Sequence, residues 1–447
     1  VIAPPSAGPA SRAGAGPAVA IFALALVSQI LSATFLVRDV SSPNAATVIA
    51  TSIVERGEFA ARAWPRAARS PDGSEAPLRA YHLPAEPVLL ATGLAVLPQS
   101  LTPYLHVPIT ALFVLAVATM GFRLGGRPLG FAAGFIAAFD PFVLAHGAVW
   151  DDAFLAAALE WSAFALLVKR AAADTTAPPI RSAVTAGLIA MAAGLAALTR
   201  ASSSVVLAAV ALTLVARPRF RELRAAGWTV LAAVAVALSG WGLRNVAVLG
   251  EFHVGSSHDG ITLLESNYAT ARPSIFRTGI AESYVIDDLA PHFEAAARMS
   301  ELDANRYFTQ QAIAYARREP LDVLATAAVK FLSSVSGVNF GQPVTTPRNL
   351  VVLGANLALL AAAALGWRVW RIGRRGTPVI LAVHVFGIVL AVTALALLAG
   401  PVGLRYRISA APVLYLCAAA WLSRVSPSTN AVAGSGDAGL RRGQRDV

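Results

Sequence analysis

Apolar residues in this chain gather into ten runs: 18–37, 102–122, 129–149, 153–168, 182–199, 201–216, 225–243, 350–367, 378–400 and 408–422. A helix of about 20 apolar residues crosses the hydrocarbon core of a bilayer and satisfies its own backbone hydrogen bonds there. Each run therefore predicts a transmembrane helix, and the fold class read from the pattern is an all-α polytopic membrane protein of ten spans. Two shorter apolar stretches fit that pattern less well. Residues 84–98 are flanked by prolines and predict a helix lying at or dipping into the membrane interface. Residues 321–335 are interrupted by Asp322, Lys330 and several Ser and Gly residues, which favours an interfacial helix. Two further spans in this region would also preserve the topology. Between residues 301 and 317, Leu302, Tyr307, Ile313 and Ala316 hint at an amphipathic helix.

Charge gives the runs a direction. Thirteen Lys and Arg residues lie in four short connections, at 123–127, 169–181, 217–224 and 368–375, while 19 of the 25 carboxylates fall in the intervening connections. Lys and Arg are retained on the cytoplasmic side during insertion. This places two long segments, 38–101 and 244–347, outside and both termini inside a plasma (inner) membrane, with 18–423 as the membrane domain. Residues 1–17 and 424–447 read as a disordered lead and a disordered cytoplasmic tail. The run 18–37 is longer than a signal-peptide core and reads as an uncleaved first helix.

Composition agrees: 56% of residues are hydrophobic, 14% are charged and the mean hydropathy is +0.62. A soluble domain carries about a quarter charged residues. The net charge of +11 arises from arginines at membrane boundaries, so anionic lipid headgroups, not nucleic acid, are the expected partner. The lone Cys417 excludes an intrachain disulfide framework or thiolate metal site. The Ala, Arg and Pro usage suits a GC-rich bacterial genome.

Ionisable residues at or inside the outer membrane boundary are costly and so mark candidate sites. One set is Asp39, with Ser41, Ser42 and Asn44 nearby; another is the Asp151–Asp152 pair between the third and fourth runs. Asp151 reads equally as a helix cap, and Asp140, before Pro141, as a satisfied structural group. A cationic set comprises Arg200, Arg244, Arg405 and Arg407, whose guanidinium forks match phosphate oxygens, or which snorkel to headgroups. His82 precedes the interfacial stretch, and His253 and His258 flank Gly255–Ser257. No HExxH, P-loop or dinucleotide-binding motif is present.

Five motifs occur in an order that resembles GT-C fold glycosyltransferases of the protein-mannosyltransferase and aminoarabinose-transferase type. They are YHLPAEPVLLATGL (81–94), FDPFVLAHGAVWDDAFLAAALEW (139–161), AGLAALTRASSSVVL (193–207), GWGLRNVAVLGEFHVGSSHDGITLLESN (240–267) and LRYRISAAPVLYLCAAAWL (404–422). The resemblance implies transfer of a sugar from a polyprenyl-phosphate donor to a glycan, lipid or protein acceptor on the extracytoplasmic face. It implies a first-loop carboxylate as general base or metal-associated group. Counting back from ATSIVERGEF (50–59), that position falls on Ser42, and Asp39 is the nearest carboxylate. Asp152, or Asp151 with one residue of slip, matches the second-loop carboxylate, and a divalent metal ion on Asp39 and Asp152 is an option the family leaves open. Arg244, Arg405 and Arg407, with Arg200, are the expected donor-phosphate ligands. His82, Glu86, Asn245 and His258 lie in the outer-segment motifs as substrate-binding candidates. Two other classes fit the composition. A transporter or lipid-linked sugar flippase would use mid-span groups, for which Asp140 and His384 are the candidates. A catalytically inactive GT-C-like scaffold is suggested by Ser42.

Overall fold

A computed structural model describes residues 15–35, 45–61, 77–98, 101, 104–147, 151–172, 179–278, 289–338, 340–341, 343, 345–373, 377–400 and 407–425. All statements below concern these residues. Every element longer than a single bridge is a helix; Ala61 and Leu78 form one isolated antiparallel bridge.

The chain opens with α1 (Ala15–Phe35), then α2 (Ala45–Arg56) and α3 (Ala85–Val96). A long element, α4 (His106–Phe139), holds the second run and the start of the third, broken at Gly126 with φ +76° and ψ −167°. The break falls inside the expected basic turn 123–127. Beyond it the chain doubles back closely enough that a Cβ on Gly121 would lie 2.8 Å from the Gly130 Cα. Small residues permit such approach where no hydrophobic force separates helix from lipid.

The third run does not continue unbroken to 149 as expected. It stops at Asp140, whose Oδ1 accepts from the Phe142 amide at 2.6 Å and starts the short α5 (Pro141–His146). Proline removes a helical donor and Asp supplies a cap, so the Asp-Pro pair restarts the helix. Then follow α6 (Asp152–Ala171), α7 (Pro179–Ala197), α8 (Ala201–Ala216), a 3₁₀ turn at Pro218–Leu223 and α9 (Arg224–Leu249). The second long segment folds as α10 (Asp259–Asn267), α11 (Ala271–Thr278), α12 (Ala290–Ala296), α13 (Glu301–Arg318) and α14 (Pro320–Ser336). The bundle closes with α15 (Pro347–Gly373), α16 (Thr377–Ala399) and α17 (Ala411–Val425).

Five helices are long and apolar enough to cross a membrane: 16–35, 106–139, 218–249, 349–368 and 377–397. Four shorter apolar helices, including α3, α7 and α8, accompany them. The chain is a multi-pass membrane protein. Its core is built from alanines and a few large rings, with Phe113, Phe154, Trp161, Phe164, Phe386 and Tyr415 fully buried. Apolar residues such as Phe35, Val236 and Leu395 face outward, as lipid-facing positions do.

Two features were not anticipated. Helix α2 lies inside the first long segment, and α9 runs six residues past the expected end of its span, so Arg244 sits on a helix and not in a loop. The two long segments pack on one another. The Ser257 amide donates to the Ala80 carbonyl at 2.8 Å, and Glu301 accepts from the amides of Arg79 and Ala80 at 2.7 and 2.8 Å. This layer covers one end of the bundle, here called the loop end; the opposite end carries the basic connections.

Candidate active site

At the loop end, α6 begins with the acidic pair. Asp151 is extended, and its Oδ1 accepts from the Ala153 amide at 2.8 Å, which is an N-cap. Asp152 lies one residue on, its Oδ2 3.4 Å from Arg200 Nε, with both side chains mostly buried. Arg200 is held there because it is the extended residue between α7 and α8. Two turns along α6, Glu160 lies inside the bundle beside Ser203, Arg200 and Ser409. Trp161 anchors the same turn, its Nε1 donating to the Ser409 carbonyl at 2.9 Å.

Next to Ser409, Arg407 enters the bundle. Its Nη2 donates to Asn356 Oδ1 at 2.6 Å and stands 3.9 Å from Asp140 Oδ2, and its guanidinium carbon lies 5.1 Å from the centre of the Phe142 ring. Tyr415 donates to the same Asp140 oxygen at 2.9 Å. Asn356 in turn donates to the Ser336 carbonyl at 2.9 Å. Gly337 follows, with φ +69°; a Cβ there would lie 2.6 Å from Arg407 Nη1. Nη1 itself is buried and has no hydrogen-bond acceptor among the described residues. The groups from Asp152 to Asn356 form a polar belt of two clusters, Asp152–Arg200–Glu160 and Asp140–Arg407–Asn356, joined through the segment 407–409. A buried guanidinium and carboxylate are tolerated only when both keep partners, which this belt supplies.

Above the belt lies the covering layer. The Ala85 amide donates to the Leu198 carbonyl at 3.0 Å, so the YHLP segment sits directly beside the Arg200 hairpin. Tyr81, His82 and His258 form a ring cluster, with the Tyr81 and His258 centroids 4.4 Å apart and those of His82 and His258 6.4 Å apart. Ser256 donates to the Tyr81 carbonyl, and Glu86 is buried at the start of α3. Arg244 donates to the carbonyls of Arg79 and Phe59 at 2.7 and 3.3 Å and to Asn245 Oδ1 at 2.8 Å. Its guanidinium also packs on the rings of Trp241 and Phe59. Asn245 Nδ2 donates to the His253 carbonyl at 2.7 Å.

Lys330 adds a cation to this end. It is fully buried on α14, and its Nζ donates to Asn267 Oδ1 at 3.0 Å and the Gly400 carbonyl at 2.8 Å. Burial, which disfavours the charged form, brings its ammonium down to about 7. The rest of α14 explains the position: Thr326, Lys330, Ser333 and Ser334 face inward, while Leu321, Leu324, Phe331 and Leu332 face out.

Of the expected site residues, Asp152, Arg200 and Arg407 lie along one belt, joined there by Asp140. Arg244 and Asn245 sit instead at the junction of the two long segments, where their side chains tie backbone together. His82 and His258 meet in the covering layer. Asp39 and Arg405 lie outside the described residues. Glu160, Asn356, Asn267 and Lys330 were not expected. The signal for Glu160 and Lys330 was a charge inside an apolar run; Asn356 and Asn267 carried none. Among the described residues no group of three His, Cys, Asp or Glu side chains could hold a metal ion, and Asp152 already faces a guanidinium, so these residues alone do not make a cation site. The mid-span groups are absorbed locally: Asp140 as above, and His384 against the Ile380 carbonyl at 2.8 Å.

No protein-family model matches the sequence, and no curated protein matches it. Solved structures do. The oligosaccharyltransferase AglB of Archaeoglobus fulgidus, in complex with an inhibitory peptide and a dolichol-phosphate, matches with TM-score 0.50 and 14% identity over 92% of this chain and 50% of that one. The apo form of the Archaeoglobus fulgidus oligosaccharyltransferase gives 0.53 and 13% over 91% and 50%. ArnT of Cupriavidus metallidurans bound to undecaprenyl phosphate gives 0.39 and 14% over 92% and 79%. The chain spans about half the length of the archaeal enzyme. At these identities the likeness concerns architecture alone, and the architecture of this chain is the GT-C fold of membrane glycosyltransferases.

Proposed function

We propose that this protein is a membrane glycosyltransferase that moves a sugar from a polyprenyl-phosphate donor to an envelope glycan, lipid or protein acceptor at the extracytoplasmic face of the plasma membrane, the loop end being that face. On this reading the chain crosses the membrane ten times with both termini in the cytoplasm, and is of the protein-mannosyltransferase and aminoarabinose-transferase type. The observation that carries the proposal is the belt itself: Asp152, Arg200, Glu160, Arg407 and Asp140 meet at the one end of a GT-C bundle that is covered by both long segments.

The chemistry asks for three things. The bond from the sugar anomeric carbon to the phosphate oxygen breaks, and the polyprenyl phosphate leaves with the electron pair. The acceptor oxygen bonds to the anomeric carbon and gives its proton to a carboxylate, a role we assign to Asp39. Cations stabilise the charge that grows on the departing phosphate. Arg200, Arg405 and Arg407 are assigned to that phosphate, and the buried, unpaired Nη1 of Arg407 supports this. Lys330 joins them as a nearby cation whose protonation a phosphate dianion would favour. Asp152 orients Arg200 or the acceptor, while His82, Glu86 and His258 line the acceptor side. Arg244 and Asn245 hold the covering layer in register. The outward apolar faces of α3 and α14 suit a prenyl chain beside the belt.

The test is release of polyprenyl phosphate from a labelled polyprenyl-phospho-sugar by protein reconstituted in vesicles. Sugar transfer that Asp39→Asn abolishes supports the base assignment; accumulation of unconverted donor across the vesicle membrane points to a flippase instead.

A further inference from the structure

A second polar feature lies at the basic end. A cavity of about 830 Å³ opens between the last turn of α6, the first turns of α7, the 3₁₀ turn 218–223 and Thr377 at the start of α16. Its walls carry four cations, Lys169, Arg170, Arg219 and Arg221, against a single carboxylate, Glu222. Among the described residues none of the four forms an ion pair. Arg170 Nη1 is steadied by Ser182 Oγ at 2.7 Å, and Thr185 adds a hydroxyl from the same helix. Such a site, with uncompensated guanidinium forks, hydroxyls and the positive end of α7, is built for an anion bearing several oxygens.

The geometry also says where the anion comes from. Ile180, Val184 and Leu188 line the cavity and are at the same time 73%, 58% and 42% exposed, so the cavity opens sideways onto the outward face of α7. Met191 and Leu195 continue the same helical stripe, both exposed. A soluble phosphate has no use for that stripe, whereas a lipid places its head in the cavity and a chain along it. The site is separate from the polar belt. Helix α7 has 19 residues, and at about 1.5 Å per residue it holds the two roughly 28 Å apart.

We propose that this cavity binds the phosphate headgroup of an anionic membrane phospholipid from the basic side, with one acyl chain lying along Ile180, Val184 and Leu188. The proposal uses none of the transferase residues, so its failure leaves the transferase reading intact, and the converse holds.

The experiment takes full-length protein in zwitterionic detergent and titrates it with phosphatidylglycerol, phosphatidylcholine or inorganic phosphate, reading bound lipid by native mass spectrometry and Tm. Phosphatidylglycerol is expected to be retained and to raise Tm, while the other two are not. At about 1 kcal/mol per cation near an anionic headgroup, the double variant Arg219→Gln/Arg221→Gln binds it about 30-fold more weakly. The exposed Lys169→Gln serves if that protein misfolds, with about fivefold weaker binding and an unchanged Tm without lipid. Equal retention of phosphatidylcholine, stabilisation by inorganic phosphate alone, or undiminished phosphatidylglycerol binding by the variants would overturn the proposal.

Discussion

Arg407 is a buried guanidinium and Arg244 a half-buried one, and they are used differently. Arg244 gives its fork to the carbonyls of Arg79 and Phe59 and to Asn245, all fixed parts of the covering layer. Arg244→Ala should therefore cost about 2–3 kcal/mol, as lost charged hydrogen bonds do. The expected signs are a lower Tm and faster proteolysis in the two long segments, with donor affinity little changed. Arg407 keeps one nitrogen unpaired beside Asp140 and Asn356. Arg407→Ala should lower stability by about 3–5 kcal/mol, because it strands a buried carboxylate, and should also weaken donor binding. The adjacent aspartates divide similarly. Asp151→Ala should cost about 1 kcal/mol as a lost cap and retain turnover. Asp152→Asn should lower Tm by breaking its mostly buried pair with Arg200 and slow sugar transfer about 100-fold by misplacing Arg200 or the acceptor.

Helices were the legible part of this chain, because their apolar runs carry the signal. The basic turn 123–127 became the Gly126 break, and the stretches 84–98 and 321–335 became α3 and α14. The sequence could not reveal where helices restart or overrun. Asp140–Pro141 splits a run that is apolar on both sides, and α9 continues because Arg244 and Asn245 find partners in a segment far away in sequence. The belt was half legible. Charges within apolar runs could be seen, but Asn356 and Asn267 are uncharged and gain meaning only from what packs on them. Gly337 is one such hidden element. Its positive φ and the close Asn356 amide leave no room for a side chain, so Gly337→Ala should cost at least about 1 kcal/mol and lower donor affinity by displacing Arg407.

The two ends of the molecule differ in charge: carboxylates and cations are interleaved beneath and within the covering layer, whereas the cavity at the other end carries four cations against one carboxylate. Lys330 makes the loop end responsive to pH. Its ammonium titrates near 7 when folded and at the ordinary 10.5 when unfolded. Between those values the unfolded chain holds more protons, so stability should rise with pH from about 7 towards 10.5 and level off above. Thermal melts across that range should show the rise in wild type and its loss in Lys330→Met. Affinity for a phosphate-bearing donor should move the other way, falling as pH passes 7 and the cation is lost. The most direct measurement is sugar transfer from a polyprenyl-phospho-sugar by the reconstituted protein, comparing wild type with Asp152→Asn and Arg200→Gln. Transfer by wild type and at least a hundredfold slower transfer by both variants, each still folded at the assay temperature, is the expected result. Transfer at wild-type rates in both would contradict a catalytic site on the polar belt.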